Sequence, residues 1–159
     1  MYELAAIAAR NWSAGAETRQ FEREWANVLA DLPLFRGVGK RHVRRIAELA
    51  RPERFANGET IVRRGDKGDA FYVILDGQAR VVRRSGPTKT LRMGDFLGEM
   101  ALLDGGPRSA TVRAATEVTT LRVPHRAFLK MLEDQPRIAF AIMQELAARL
   151  RQAQHDPLA

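Results

Sequence analysis

Glycine-containing turn pairs divide residues 52–123 into short segments that are rich in β-branched residues. The turn pairs are Asn57-Gly58, Gly65-Asp66, Asp76-Gly77, Ser85-Gly86 and Gly94-Asp95. The intervening segments, such as ETIVRR, AFYVIL and EVTTLRV, have the length and composition of β-strands. Their regular spacing predicts antiparallel strands in a barrel or a double-sheet jelly roll, with a strong hairpin signal at Asp76-Gly77.

Helical periodicity appears on both sides of this block. Apolar residues recur at spacings of three and four in two runs that end at Pro33 and Pro52, and in two runs opened by Pro124 and Pro136. The apolar positions are Phe21, Trp25, Val28, Leu29 and Leu32, then Val43, Ile46, Ala47, Leu49 and Ala50, then Phe128, Met131 and Leu132, and finally Ile138, Ile142, Leu146 and Leu150. We predict a mainly β fold in three segments: N-terminal helices at 1–51, the antiparallel strands at 52–123 and C-terminal helices at 124–159.

Composition limits the classes of protein. A chain of 159 residues, 45% hydrophobic and 28% charged, is sized for one main globular domain. No apolar run is long enough to cross a bilayer, and Leu4 to Ala9 follows no basic residue, so we expect neither a membrane span nor a secretory signal. The absence of cysteine excludes disulfides and thiolate metal sites and fits a cytoplasmic location.

The net charge of +7 is concentrated between Arg36 and Gly65, where nine cations face three glutamates. The simpler interpretation, which we favour from sequence alone, is a solvated helix face. The alternative is a docking surface for an acidic partner, a membrane or a nucleic acid. Apart from Phe55 no aromatic residue interleaves with these cations, and no helix-turn-helix follows, so we predict no nucleic-acid-binding domain.

The stretch GDFLGEMALLDGGPRSATV interrupts the strands with a different pattern. Residues 98–103 predict one or two helical turns, whose first N–H groups lack an internal partner and carry partial positive charge. After the Gly105-Gly106-Pro107 turn, Arg108 returns with a planar fork of donors suited to phosphate. Glu99 is an acceptor, which suits a hydroxyl donor such as a ribose. Phosphate and ribose together indicate a nucleotide.

These residues resemble the phosphate-binding cassette of the cyclic-nucleotide-binding domain family. The matching runs are Leu97-Gly98-Glu99-Met100-Ala101-Leu102 and Pro107-Arg108-Ser109-Ala110-Thr111-Val112, with Leu97 where phenylalanine is common. The resemblance extends over most of the chain, and its layout is similar to the domains of bacterial cyclic-nucleotide-gated channels and the sensor domain of the catabolite activator.

The resemblance implies a role for each cassette residue. Glu99, helped by the Gly98 amide, would accept from the ribose 2′-hydroxyl. Arg108 would pair with the cyclic phosphate, with further donors from the amides of Ala101 and Ala110. Ser109 would reach the phosphate or the base.

The resemblance also implies a base side and a lid. Met100 belongs to the cassette, while Leu91 and Val112 would line the base. The last helix, from Pro136 to about Gln152, would close over the base as a lid. Arg149 on this helix would touch the base, although a plain surface arginine is an equal alternative.

We therefore expect a regulatory module, an antiparallel β-roll or jelly roll at 52–123 with helices at both ends, that senses cyclic AMP in preference to cyclic GMP, with no separate cofactor and no metal. The three histidines lie in unrelated contexts, and neither a Gly-x-Ser-x-Gly elbow nor a phosphate loop ending in Gly-Lys-Ser/Thr is present, so we predict no catalytic residues. Three alternatives stay open: a sensor fragment of a larger channel or enzyme, part of a transcription regulator, or a degenerate domain without ligand. The effector protein is unknown, and a homodimer through the helices is left open.

Overall fold

In the computed structural model, residues 26–27, 29–82 and 88–155 are described. A 3₁₀ turn at Pro33–Phe35 precedes helix α1. The remaining elements, in chain order, are α1 Lys40–Leu49, β1 Arg51–Phe55, β2 Thr60–Val62, β3 Ala70–Asp76, β4 Ala79–Val82, β5 Lys89–Leu91, β6 Phe96–Leu97, α2 Glu99–Asp104, β7 Thr111–Ala114, β8 Val118–Pro124, α3 His125–Asp134 and α4 Pro136–His155. None of the helices in this part of the chain is long and apolar enough to cross a membrane.

The strands form two antiparallel four-stranded sheets, in the orders β1-β8-β3-β6 and β2-β7-β4-β5. One core lies between the sheets and includes Ile74, Leu91 and Val112. A second core joins the other face of the first sheet to the helices and includes Phe71 and Phe128. Strand β3 is buried on both faces, which explains its almost unbroken apolar run. The predicted β-roll with flanking helices is confirmed.

The predicted hairpin at Asp76-Gly77 is wrong. Strand β3 belongs to the first sheet and β4 to the second, so this turn is a corner between sheets. This corner packs against the turn between β7 and β8. Gln78 N donates to Thr116 Oγ1 at 3.0 Å, and Ala115 N donates to Gln78 O at 2.8 Å. Gly77 has φ of 84° and leaves no room for a Cβ beside the Glu117 carbonyl. Gly77 is therefore required by the close packing of this corner and not by a hairpin turn.

Two strands were missed. Strand β1 contains Pro52, which was interpreted only as the end of a helix, and it lies at the edge of its sheet, where a proline is tolerated. Strand β6 has only two residues, too few for a visible alternation. The predicted apolar faces of α1 and α4 also need correction, because Leu49 and Leu150 are 54% and 61% exposed.

Some sequence predictions fall outside the described residues. They are the helical positions Phe21, Trp25 and Val28 and the turn Ser85-Gly86. The described helices pack beside the roll, with Ile138 and Ile142 anchoring the first half of α4 in the core. This anchoring carries the second half of α4 past α2, where the candidate site lies.

Candidate ligand-binding site

A cavity of about 840 Å³ lies between β4, β5, α2, the start of β7 and the second half of α4. A volume in this range is typical of small-molecule sites. The cavity is lined by all ten residues singled out from the sequence, namely Leu91, Gly98, Glu99, Met100, Ala101, Arg108, Ser109, Ala110, Val112 and Arg149. The fold therefore brings together residues that are up to 58 positions apart in the chain.

Arg108 is held by the backbone around it. Its side chain is 5% exposed, Nη1 donates to Gly98 O at 2.9 Å, and Nη2 donates to Ala70 O at 2.8 Å. Asp69 Oδ1 lies 3.8 Å from Nη2 and adds a longer ion pair. Because a guanidinium has five N–H donors, these contacts fix the side chain and still leave donors for the cavity.

Gly98 is required by the position of Arg108. It adopts φ of 91°, and a Cβ at this position would lie 2.5 Å from Arg108 Nη1. It also caps α2, a six-residue helix whose first-turn N–H groups have no acceptor one turn earlier. The side chains of Met100 and Ser109 meet at the exposed rim, with Ser109 Oγ 3.6 Å from Met100 Sδ.

Glu99 is a buried carboxylate with one oxygen unused. The side chain is 1% exposed, and its Oε1 accepts a hydrogen bond from Arg149 Nη1. Oε2 is buried and has no hydrogen-bond partner among the described residues. Burial raises the pKa of Glu99 above its ordinary value, and the Arg149 charge opposes that rise. An ionised carboxylate in this position lacks one hydrogen bond that a ligand hydroxyl could supply.

The side chain of Arg149 contacts the Glu99 carboxylate. Besides its bond to Glu99, Nη2 is 3.4 Å from Phe96 O, and the guanidinium carbon lies 5.7 Å from the centre of the Phe96 ring. The side chain is 30% exposed. Arg149 is therefore not a plain surface arginine, and its predicted contact with the base stays a prediction.

Sequence reasoning missed the ion pairs that surround Arg149. Glu145 Oε1 accepts from Arg149 Nε at 3.2 Å and from Lys89 Nζ at 3.3 Å, which links α4 to β5. Partial burial favours a higher pKa for Glu145, but Lys89 and Arg149 outweigh it and the pKa is lowered. The spacing of four between Glu145 and Arg149 could have predicted one of these bonds. No sequence signal connects Lys89 to either.

The remaining walls divide the cavity by polarity. Leu91 and Val112 are buried and meet Val62 and Val81 on an apolar side. Thr88 and Gln152 contribute polar groups. Among the described residues no cluster of histidine, aspartate and glutamate could hold a metal ion. The site has an apolar slot, a buried carboxylate and a buried guanidinium, which suits a ligand with a planar group, a hydroxyl and an anion.

Comparison with known proteins identifies the family of the chain. The sequence model of the cyclic nucleotide-binding domain matches residues 52–135. The chain belongs to this family. A cyclic nucleotide-gated potassium channel of Rhizobium etli is 36% identical over 138 residues, covering 87% of this chain and 38% of the channel. A cAMP-dependent protein kinase regulatory subunit of Emericella nidulans is 36% identical over 115 residues, covering 71% of this chain and 28% of that protein.

The fold has the same neighbours. The regulatory domain of Toxoplasma gondii protein kinase A, solved with cAMP, superimposes with a TM-score of 0.74 over 82% of this chain and 51% of that one, at 24% identity. At this identity the likeness establishes the fold. The domain thus spans well under half the length of the two curated relatives, which carry further segments of their own.

Proposed function

We propose that this domain is a regulatory sensor that binds cyclic AMP in the cavity between the β-roll and α4. The observation that carries the proposal is Oε2 of Glu99, which is buried in the same cavity as Arg108 and has no hydrogen-bond partner in the part of the chain that the structure describes. The 3′,5′-cyclic nucleotides combine a free ribose 2′-hydroxyl with an anionic phosphate. A ligand of this kind supplies a donor to the carboxylate and an anion to the guanidinium.

Each group of the site has a distinct part in binding. The ribose 2′-hydroxyl donates to Glu99 Oε2, while Oε1 keeps its bond to Arg149. The phosphate accepts from donors of Arg108 that the Gly98 and Ala70 carbonyls do not use, and from backbone N–H groups of Ala101 and Ala110. Because Arg108 is already oriented by those two carbonyls, little side-chain entropy is lost when the anion binds.

The preference for cyclic AMP over cyclic GMP rests on one relative and not on the base side of the cavity. Leu91, Val112 and their neighbours offer an apolar surface to either purine, and Ser109 lies at the rim beside Met100. The Emericella nidulans relative is named for its dependence on cAMP. Cyclic GMP is the competing ligand in the experiment below.

The domain has in α4 a route by which ligand binding can be signalled. We infer that it is a cytoplasmic sensor module and that α4, whose second half forms one wall of the cavity, transmits occupancy to an effector. Among the described residues that line the cavity, no nucleophile is hydrogen-bonded to a base, and we infer that ligand is bound and released without chemical change.

Isothermal titration calorimetry on nucleotide-free protein tests the proposal. We expect one cyclic AMP per protomer, weaker binding of cyclic GMP, and no response to 5′-AMP in the same concentration range. Chromatography of the recovered ligand should show it intact. Folded protein that gives no heat with either cyclic nucleotide would instead be a degenerate domain, and recovered 5′-AMP would contradict a purely regulatory role.

A further inference from the structure

The outer face of α1 carries four exposed cations. Lys40, Arg41, Arg44 and Arg45 follow one another along this face, which we call the basic stripe. None of the four forms an ion pair within the described part of the chain. At the N-terminal end of the stripe, the guanidinium of the exposed Arg137 lies against Gly37 and adds positive charge.

These charges oppose the stability of the helix that carries them. Lys40 and Arg41 occupy the first turn, which contains no acidic residue and where the helix dipole disfavours cations. The pairs Lys40 with Arg44 and Arg41 with Arg45 place like charges four residues apart. Gly39 caps the helix without a side-chain hydrogen bond. The cations in the first turn and the two like-charge pairs depart from helix-stabilising chemistry, and they indicate a use outside the fold.

The fold itself depends on the opposite face. Val43, Ile46 and Ala47 are buried in the core beside the first sheet, and they anchor α1 without help from the cations. Neutral polar residues on the outer face would serve the core equally well and would avoid the repulsion. The basic stripe is therefore explained by a partner and not by packing.

We propose that the basic stripe is a docking surface for an acidic, helical segment of a partner protein. Residues four apart on a helix lie about 6 Å from each other on one face, so the stripe presents cations in rows one turn apart. Carboxylates spaced by four on a partner helix match these rows, and the arginine side chains donate to them in bidentate geometry.

Two other anionic partners fit the face less well. The outer surface of α1 presents no phenylalanine, tyrosine or tryptophan on which a base of a single-stranded nucleic acid could stack. Helices that lie on membranes pair a basic face with an apolar face that enters the lipid, but the apolar face of α1 is buried in the core. The exposed apolar residue of α1 is Leu49, beyond Glu48 at the end of the stripe.

The stripe is independent of the nucleotide cavity, because none of its residues lines that cavity. The proposal therefore stands whether or not the domain binds cyclic AMP. Calorimetry with cyclic AMP, which should give the same affinity before and after substitution of the stripe, separates the two.

The test compares two variants of equal charge. Arg41→Gln/Arg44→Gln/Arg45→Gln removes three of the four stripe cations, and Arg80→Gln/Arg92→Gln/Arg113→Gln removes three exposed cations elsewhere. The probe is a fluorescein-labelled helical peptide of roughly 16 residues with glutamates at every fourth position, followed by fluorescence anisotropy. We expect the stripe variant to bind about tenfold more weakly than wild type and the control within about threefold. Added salt should weaken wild-type binding.

The melting temperature, the control variant and two other anionic ligands provide further tests of the proposal. Because the stripe opposes helix stability, its neutralisation should leave the melting temperature unchanged or higher, and a clear fall would show that the cations serve the fold. Equally weakened peptide binding in both variants would show that the peptide responds to the net charge of the domain and not to the basic stripe. Tighter, stripe-dependent binding to phosphatidylserine vesicles or duplex DNA of matched charge would overturn the choice of a protein partner.

Discussion

The two walls of the cavity hold their charged groups in different ways. On the cassette wall Glu99 and Arg108 are 1% and 5% exposed, and Arg108 is bonded to main-chain carbonyls. On the α4 wall Glu145 and Arg149 are 40% and 30% exposed, and they are bonded mainly to other side chains. A main-chain partner moves only if the fold moves, whereas a side-chain partner can be exchanged. We therefore expect the cassette wall to determine affinity and the α4 wall to determine the rate of ligand escape.

The largest effect should come from Arg108→Ala. Loss of the cation that pairs with a largely buried phosphate should cost about 2 to 5 kcal/mol of binding free energy. The matched control is Arg64→Ala, because Arg64 also lines the cavity but is exposed, and it should cost less than about 1 kcal/mol. Calorimetry measures both, and thermal melts verify folding. Similar losses of affinity for the two variants would show that Arg108 is no more important for ligand binding than an exposed arginine, and would contradict its assignment to the phosphate.

Glu99→Ala should have the next largest effect, and only for ligands with a 2′-hydroxyl. A hydrogen bond to a charged group contributes about 1.5 to 3 kcal/mol, so cyclic AMP should lose about this much. For 2′-deoxy cyclic AMP the contact is already missing in the wild type, and the substitution should cost little. The coupling energy between substitution and ligand should exceed about 0.5 kcal/mol. Equal losses for the two ligands would assign Glu99 to loop structure.

Truncation after Gln144 removes the α4 wall and leaves Ile138 and Ile142 in the core. Affinity changes among related complexes reside mostly in the dissociation rate, so escape of a fluorescent cyclic AMP analogue should speed up by about tenfold or more. The control ends after Gln154, beyond the residues that line the cavity. Stopped-flow displacement that gives the same rate for both lengths would rule out a closing role for α4.

Acidification should affect stability and binding in opposite directions through Glu99. Burial raises its folded-state pKa, so its stabilising contribution is complete below its unfolded pKa near 4.5 and is lost as the pH rises through the folded value. Cyclic AMP binding needs the ionised acceptor and should weaken as the pH falls through that raised pKa. Glu99→Gln should abolish both trends, as measured by denaturation and by calorimetry between pH 5 and pH 8. Persistence of both in that variant would assign them to other groups.

The smallest effect should come from the Lys89–Glu145 pair. Partly exposed pairs contribute about 0.2 to 1 kcal/mol, and Lys89→Gln should therefore shift the dissociation rate only a few-fold. Combining it with Glu145→Gln in a double-mutant cycle isolates the pair, and high salt should erase the coupling. A coupling that survives high salt would mean that the α4 wall is as fixed as the cassette wall.

The cassette was predictable from sequence because its requirements are local. Gly98, Glu99 and Arg108 lie within eleven residues, and each residue type has few uses in such a loop. The family resemblance drawn from them is confirmed by the match over residues 52–135. Their assigned contacts with ligand stay predictions.

What escaped prediction depends on distant parts of the chain. The Asp76-Gly77 turn has the chemistry of a hairpin, and only the docking of residues 115–117 against it makes it a corner between sheets. In the same way, the partner of Glu99 is fifty residues away on α4. Local pattern identifies which residues carry chemistry, while the register of distant elements decides what each one touches.

The sheet order also constrains how the domain forms during synthesis. Strand β8 is the last strand made, yet it lies between β1 and β3, and Arg51 pairs with Arg122. A nascent chain that ends before β8 leaves the edges of both neighbours exposed, and contacts this distant in sequence slow folding. The cassette emerges before β8, so its residues leave the ribosome ahead of the strand that completes the first sheet. We expect the sensor to become competent only late in synthesis, after both β8 and the part of α4 that lines the cavity have left the ribosome.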